Sequence, residues 1–242
     1  MQDVRVIGHR GAANLAPENT LASIRAAAAV GTPWVEIDVS VLADGALVIF
    51  HDDELERCSN GQGPLAAANL AYIQQLDAGS WFAHHYAGEP IPTLQQALQC
   101  IQELGLGLNL EIKHEGADVE RIVPRVLEEL QLYWQDNDKL IISSFNHQAL
   151  LLCHELAPDR YLGQLYEAVP QHWQEQLSAL QAYSLHCDYK QLDASTCAAV
   201  KAAGYKVLCY TANEPALVEA HWQWGMDAII TDSPQLFLNT DA

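Results

Sequence analysis

Val4-Arg5-Val6-Ile7-Gly8-His9-Arg10-Gly11 is a short apolar run that stops at a histidine and an arginine set between two glycines. The run reads as a buried strand, and the glycines permit turns and close approach that other residues resist. His9 can carry a proton near neutral pH, and Arg10 offers a fixed fork of donors suited to phosphate or carboxylate. Pro17-Glu18-Asn19-Thr20 follows, with Asn19 or Thr20 as the expected cap of a first helix. A proton carrier and an anion clamp between strand and helix are where α/β enzymes place their chemistry.

The same unit repeats outward from there. Strand signals fall at 4–7, 34–39, 107–112, 139–142, 161–165, 182–186, 206–210 and 227–230. Helical patterns lie between them at 19–30, 93–104, 117–132, 146–156, 171–180, 194–203, 214–223 and 233–239. Eight apolar strands alternating with helices predict a (β/α)8 TIM barrel, with a parallel sheet buried on both faces. A doubly wound open sheet is the alternative, but it does not usually need eight such units. The 242 residues, half of them apolar, suit one domain of that size.

One interval breaks the rhythm. The second and third strand signals lie about twice as far apart as their neighbours, and the excess occupies 53–92. Asn60-Gly61-Gln62-Gly63-Pro64 within it is turn chemistry, 67–76 reads as a short helix, and Trp81, Phe82 and Tyr86 form an aromatic patch. The expectation is a single domain over 1–242 with 53–92 as a small insertion capping the mouth of the barrel.

Composition narrows the function. Thirty-one acidic residues against 12 basic ones give a net charge of −19. Such a chain has no basic footprint for nucleic acid or an anionic membrane, so neither partner is expected. No apolar run is long enough to span a bilayer and no secretory signal pattern is present, which predicts a cytoplasmic protein without stable membrane association. The six cysteines show no Cys-x-x-Cys spacing and read as reduced thiols. A small anionic substrate stays admissible if a metal or a few bases invert the local field.

The candidates for that inversion sit at strand ends. Glu36 and Asp38 share a face of the second strand, and Glu111 and Lys113 share one on the third. Ala43-Asp44-Gly45-Ala46 is a hairpin signal; with Asp44-Gly45 as a two-residue loop, 41 pairs with 48 and Asp38 stands opposite His51. An inward lysine beside three inward acids allows a plain ion-pair network, but three carboxylates converging from adjacent strands are what a hard divalent cation uses. His9 and His51 are then the proton carriers, and Arg10 and Lys113 the free cations. His84, His85, His114, His147, His154, His172, His186 and His221 read as structural or solvated. Residues alone reach a metal-dependent barrel enzyme acting on a phosphodiester or a sugar phosphate.

His9-Arg10-Gly11, Pro17-Glu18-Asn19-Thr20, Glu36-x-Asp38, His51-Asp52, Glu111-x-Lys113, Ser143-x-Phe145, Tyr210-Thr211-x-Asn213 and Thr231-Asp232-x-Pro234 together resemble the glycerophosphodiester phosphodiesterases, in order and spacing. The resemblance covers essentially the whole chain, the insertion included, and is closest to the compact soluble bacterial members. Tyr210 departs from it, since many members carry tryptophan there. The resemblance implies hydrolysis of small-molecule glycerophosphodiesters to glycerol 3-phosphate and an alcohol. It further implies Mg²⁺ or Ca²⁺ on Glu36, Asp38 and Glu111, acid and base roles for His9 and His51, and substrate contacts from Arg10, Lys113, Phe145 and Tyr210. A same-fold enzyme resembling sphingomyelinase D or a phospholipase, and a barrel that binds phosphodiesters without catalysis, remain alternatives.

Overall fold

The computed structural model describes residues 4–113 and 119–238. His114, residues 117–118 of one expected helix and residue 239 of another lie outside the described residues. Among the described residues nine strands form: β1 (Val6–Gly8), β2 (Trp34–Val41), β3 (Leu47–Ile49), β4 (Gly107–Ile112), β5 (Leu140–Ser144), β6 (Tyr161–Tyr166), β7 (Ser184–Asp188), β8 (Lys206–Tyr210) and β9 (Ala228–Thr231). The helices are α1 (Leu21–Ala29), α2 (Leu70–Ile73), α3 (Leu94–Glu103), α4 (Val119–Tyr133), α5 (His147–Leu156), α6 (Trp173–Ala179), α7 (Ala194–Ala202), α8 (Glu219–Trp224) and α9 (Pro234–Leu238). All strands but β3 pair in parallel, and β1 pairs with both β9 and β2, so the sheet closes into the expected (β/α)8 barrel. Closure rules out the doubly wound alternative.

The second strand shows why the sheet forms. All eight residues of β2 are buried. Val35, Ile37 and Val39 face outward and pack with Ile24 and Ala27 of α1 and Leu94 and Leu98 of α3. Each such side chain contributes roughly 1.5–3 kcal/mol on burial, so the outward face holds the strand while the inward acids cost stability. Inside the barrel, one layer below those acids, Ile7, Trp34, Ile141, Leu208, Ala228 and Ile230 fill the floor. The six cysteines are free and buried.

Three local expectations are corrected. The hairpin closes on Leu42 and Ala46 rather than on 43 and 46: the Leu42 N–H donates to the Ala46 carbonyl at 2.9 Å, and Val39, Ser40 and Val41 pair with Ile49, Val48 and Leu47. Gly45 adopts a φ of 87°, which lets a three-residue loop carry the turn where a two-residue loop was expected. The register therefore slips by one, and Phe50 rather than His51 stands opposite Asp38, its N–H donating to the Asp38 carbonyl at 3.0 Å. His51 still reaches the acids because β3 ends at Ile49, and strand alternation no longer decides where residue 51 points.

The helix expected at 67–76 splits into a 3-10 turn, Leu65–Ala67, and α2. Asn69 breaks it by staying extended and accepting the Tyr72 N–H, as a cap does. The helix expected at 214–223 likewise divides, into a 3-10 turn over Pro215–Val218 followed by α8.

The insertion has a core of its own, with Leu55, Leu65, Ile73, Leu76 and Ile91 packed on Leu42, Val48 and Phe50. It is tied to the first βα unit: the Tyr86 hydroxyl donates to the Leu15 carbonyl at 3.1 Å, and the Glu89 carboxylate accepts the Ala22 N–H at 3.0 Å.

Candidate active site

A pocket opens at the C-terminal rim of the barrel. His9, Arg10, Glu36, His51, Glu111, Lys113, Phe145 and Tyr210 line it, with Asn109, Leu165, Thr211 and Ile230. Asp38, 1% exposed, sits beside Glu36 and Glu111, so the structure brings together all nine residues expected from sequence.

The turn after β1 explains the glycines. Arg10 and Gly11 take φ values of 50° and 87°, and a Cβ on Gly11 would stand 2.3 Å from Ser23 Oγ. This tight turn points the Arg10 backbone N–H at Glu36 Oε2, at 2.9 Å. The guanidinium then reaches Glu18 Oε1 at 2.5 Å and stands 3.5 Å from Asp38 Oδ2. Burial works against the Arg10 cation, but Asp38, Glu18 and Glu36 more than offset it and hold its pKa above the ordinary value.

Helix α1 starts at Thr20, whose side chain accepts the Ser23 N–H, so Thr20 is the cap. Asn19 has a different task. At a φ of 58° it turns its amide onto Asp38, donating to Oδ2 at 2.8 Å while its Oδ1 accepts the Asp38 N–H at 3.2 Å.

The carboxylates of Glu36, Asp38 and Glu111 offer ligand atoms within 4.8 Å of one another. Burial, and then the charges of Asp38 and Glu111, push Glu36 well above the usual carboxylate range. Burial and Asp38 likewise push Glu111 up to about 7, against the pull of Lys113, whose Nζ lies 2.9 Å from Glu111 Oε1. Burial also opposes the Asp38 charge, yet Arg10, His51, Lys113 and the Asn19 amide together hold its pKa down. Glu36 Oε1 is buried with no hydrogen-bond partner among the described residues. An orphaned carboxylate oxygen among two further acids is a donor set that fits a hard divalent cation.

Both histidines are fixed at the same ring atom. His9 Nδ1 lies 2.6 Å from Asp232 Oδ1, and His51 Nδ1 lies 2.7 Å from Asp52 Oδ1. A carboxylate on Nδ1 selects the tautomer that carries its proton there, leaving Nε2 for the pocket. His9 Nε2 stands 3.8 Å from Glu36 Oε2. Burial lowers the His51 pKa despite Asp38.

Asp232 is itself held by Asn213, whose Nδ2 donates to Oδ2 at 2.7 Å while its Oδ1 accepts the Asp232 N–H at 2.9 Å and the Thr231 hydroxyl at 3.0 Å. Tyr210 donates its hydroxyl to the Tyr166 carbonyl at 2.7 Å and meets Phe145 edge to face, so the two rings form one wall.

Asp232, Asn213, Asn109 and Arg57 carried no assigned role in the sequence, and Asn19 was expected only as a possible helix cap. Asn109 was within reach of period-two reasoning, since it lies two residues before Glu111 and shares its face. Its Oδ1 is buried beside the pocket and has no hydrogen-bond partner among the described residues. The other described histidines stay outside the pocket. His147 pairs with Gln164, His186 with Ser184 and His221 with the Tyr189 carbonyl, and burial drops His186 to about 3.

Residues 9–236 match the model of the glycerophosphoryl diester phosphodiesterase family. A glycerophosphodiester phosphodiesterase of Caldanaerobacter subterraneus subsp. tengcongensis is 34% identical over 235 residues, covering 97% of this chain and 96% of that protein. A Bacillus subtilis glycerophosphodiester phosphodiesterase is 29% identical, covering 97% of this chain and 85% of its own length. Among solved structures, an Oleispira antarctica phosphodiesterase in complex with the product sn-glycerol-3-phosphate superposes with a TM-score of 0.93 at 42% identity, over 96% of this chain and 94% of that one.

Proposed function

The chain belongs to the glycerophosphoryl diester phosphodiesterase family and is a phosphoric diester hydrolase; we propose that it cleaves water-soluble glycerophosphodiesters to glycerol 3-phosphate and an alcohol. The observation that carries this reading is the convergence of three carboxylates, two carboxylate-tethered histidines, Arg10 and Lys113 on one pocket. The glycerol 3-phosphate bound to the Oleispira relative supports the same substrate class.

Glu36, Asp38 and Glu111 would hold one Mg²⁺ or Ca²⁺, which would supply Lewis-acid polarisation of the phosphoryl group and of the attacking hydroxyl. Around it, Arg10 and Lys113 orient the phosphodiester and offset charge on its oxygens. One histidine takes the proton of the glycerol 2-hydroxyl through Nε2 as that oxygen attacks phosphorus, and the other gives a proton to the departing alcohol oxygen. Water then opens the five-membered cyclic phosphate with the two roles reversed, returning both rings to their starting state. Phe145 and Tyr210 wall the side of the pocket against which the alcohol rests. The insertion at 53–92 acts as a small cap beside the mouth, and no pocket-lining residue among those described comes from it.

The test is release of glycerol 3-phosphate from glycerophosphocholine, glycerophosphoethanolamine and glycerophosphoglycerol, with and without chelator. Chelator-sensitive release is expected. A chain that releases product from none of them, or equally well when stripped of metal, is not the enzyme described.

A further inference from the structure

Arg57 belongs to the insertion and lines no part of the pocket, yet it grips two carboxylates that each hold a pocket residue. Its Nε and Nη2 donate to Asp52 Oδ2 and Oδ1 at 2.5 and 2.7 Å. Its Nη1 and Nη2 donate to Glu18 Oε2 and Oε1, both at 2.8 Å. Asp52 Oδ1 is the same oxygen that meets His51 Nδ1, and Glu18 Oε1 is the same oxygen that accepts from Arg10 Nη1. One guanidinium therefore joins the two sides of the site through shared oxygen atoms.

We infer that Arg57 is a positioning residue for phosphodiester hydrolysis, a strap that fixes the His51 ring and the Arg10 fork through Asp52 and Glu18. The inference rests on the reading of the site given above. A guanidinium that is bidentate to two carboxylates at once locks both in plane, which an ammonium cannot do. Without it, Asp52, whose side chain is 23% exposed, is free to turn to water and take the His51 ring with it. Glu18 would then serve a single cation and close on Arg10, drawing the fork away from a phosphoryl oxygen. The Arg57 hydrogen bonds also hold Asp52 ionised, down to about 2, so it stays an acceptor for the histidine N–H. The insertion thereby acts on the reaction by orienting groups it does not itself present to substrate.

The experiment compares the wild type, Arg57→Met, Arg57→Lys and His51→Ala on glycerophosphocholine, with thermal melting of each. Arg57→Met keeps the aliphatic stem and removes every donor. Its kcat should fall about 10- to 100-fold with a smaller change in KM, the loss typical of a removed orienting partner. Arg57→Lys should fall between the two. Millimolar ethylguanidinium should raise turnover of Arg57→Met and leave wild type and His51→Ala unchanged, an effect that a purely structural role would not produce. Wild-type-like kcat in Arg57→Met overturns the inference, as does a loss that follows the melting temperature and responds to neither lysine nor ethylguanidinium. If Arg57→Met does not fold, Arg57→Lys decides: native melting with reduced kcat supports the strap, and unchanged kcat refutes it. Failure of the wild type to release glycerol 3-phosphate would count against the proposed function, whereas an active wild type with an indifferent Arg57 would count against the strap alone.

Discussion

Asp232→Asn is the most informative single change, because its outcome follows from hydrogen-bond directions. In the wild type one carboxylate oxygen meets His9 Nδ1 and the other accepts from Asn213 Nδ2. An amide of the same size must put an NH₂ on one of those sides. Turned toward Asn213 it meets another NH₂, and Asn213 cannot flip, since its oxygen already accepts the Asp232 N–H and the Thr231 hydroxyl. The new NH₂ is therefore driven toward His9, where it donates to Nδ1 and forces the proton onto Nε2. The pocket then faces an imidazole in the wrong tautomer, with the donor where the lone pair should be. Loss of proton-transfer competence costs about 10²–10⁴ in kcat, roughly 3–5 kcal/mol of transition-state stabilisation. The assay is kcat at saturating glycerophosphocholine, with circular dichroism and melting to confirm a native fold. Turnover within tenfold of the wild type would falsify the claim that Asp232 sets the tautomer of His9.

Separate His9→Ala and His51→Ala variants should each lose at least about two orders of magnitude in kcat with little change in melting, and near-normal turnover removes that residue from the mechanism. Mg²⁺ or Ca²⁺ should raise the melting temperature as well as activity, because a ligand that binds only the folded state stabilises it; EDTA that changes neither dismisses the three-carboxylate site. Burial and Asp38 raise Glu111 from 4.5 to about 7. The metal-free folded chain thus keeps a proton there that the unfolded chain has lost, and stability falls as pH climbs through that window. Metal-free wild type should therefore lose melting temperature relative to Glu111→Gln between pH values of about 4.5 and 7, and parallel curves would contradict the shift. Glycerophosphocholine should show a far higher kcat/KM than lysophosphatidylcholine or phosphatidylcholine vesicles, and equal or higher values on vesicles would favour the lipase alternative.

The barrel was legible because its strands are uniformly apolar and evenly spaced, and period-two alternation alone places Glu36 with Asp38 and Glu111 with Lys113 on the inner face. The hairpin was not. Asp44-Gly45 is compatible with a two- or a three-residue loop, and the choice depends on whether Asp44 joins Gly45 at positive φ, as the two-residue loop requires; only Gly45 does. His51 does line the pocket with the acids, although the pairing that points to it is off by one. Asn19 shows another limit: it looks like a helix cap, but Thr20 takes the cap while Asn19 serves Asp38 across the sheet. Asp232 and Arg57 act through partners about 220 and 40 residues away, on His9 and Glu18, and no local pattern reveals such a contact.

The charge of the site completes the argument for a cation. Arg10, Lys113 and Arg57 face six carboxylates, those of Glu18, Glu36, Asp38, Asp52, Glu111 and Asp232. Three of the six serve arginines and histidines at the edge of the site, Glu18 two arginines, Asp52 Arg57 and His51, and Asp232 His9, while Arg10 and Lys113 only partly offset the others. The remaining three are the buried cluster, where like charges about 4 Å apart repel by roughly 4 kcal/mol per pair at an effective dielectric of 20. Burial and this repulsion favour the neutral forms of Glu36 and Glu111, the direction in which both are shifted. With all six carboxylates ionised, the fixed charges that an anionic phosphodiester meets would sum to three negative, within a chain of net charge −19. A divalent cation on the free cluster would leave the group one charge short of neutrality. A cation there would serve first to admit the substrate, and it would supply polarisation of the phosphoryl group from the same place.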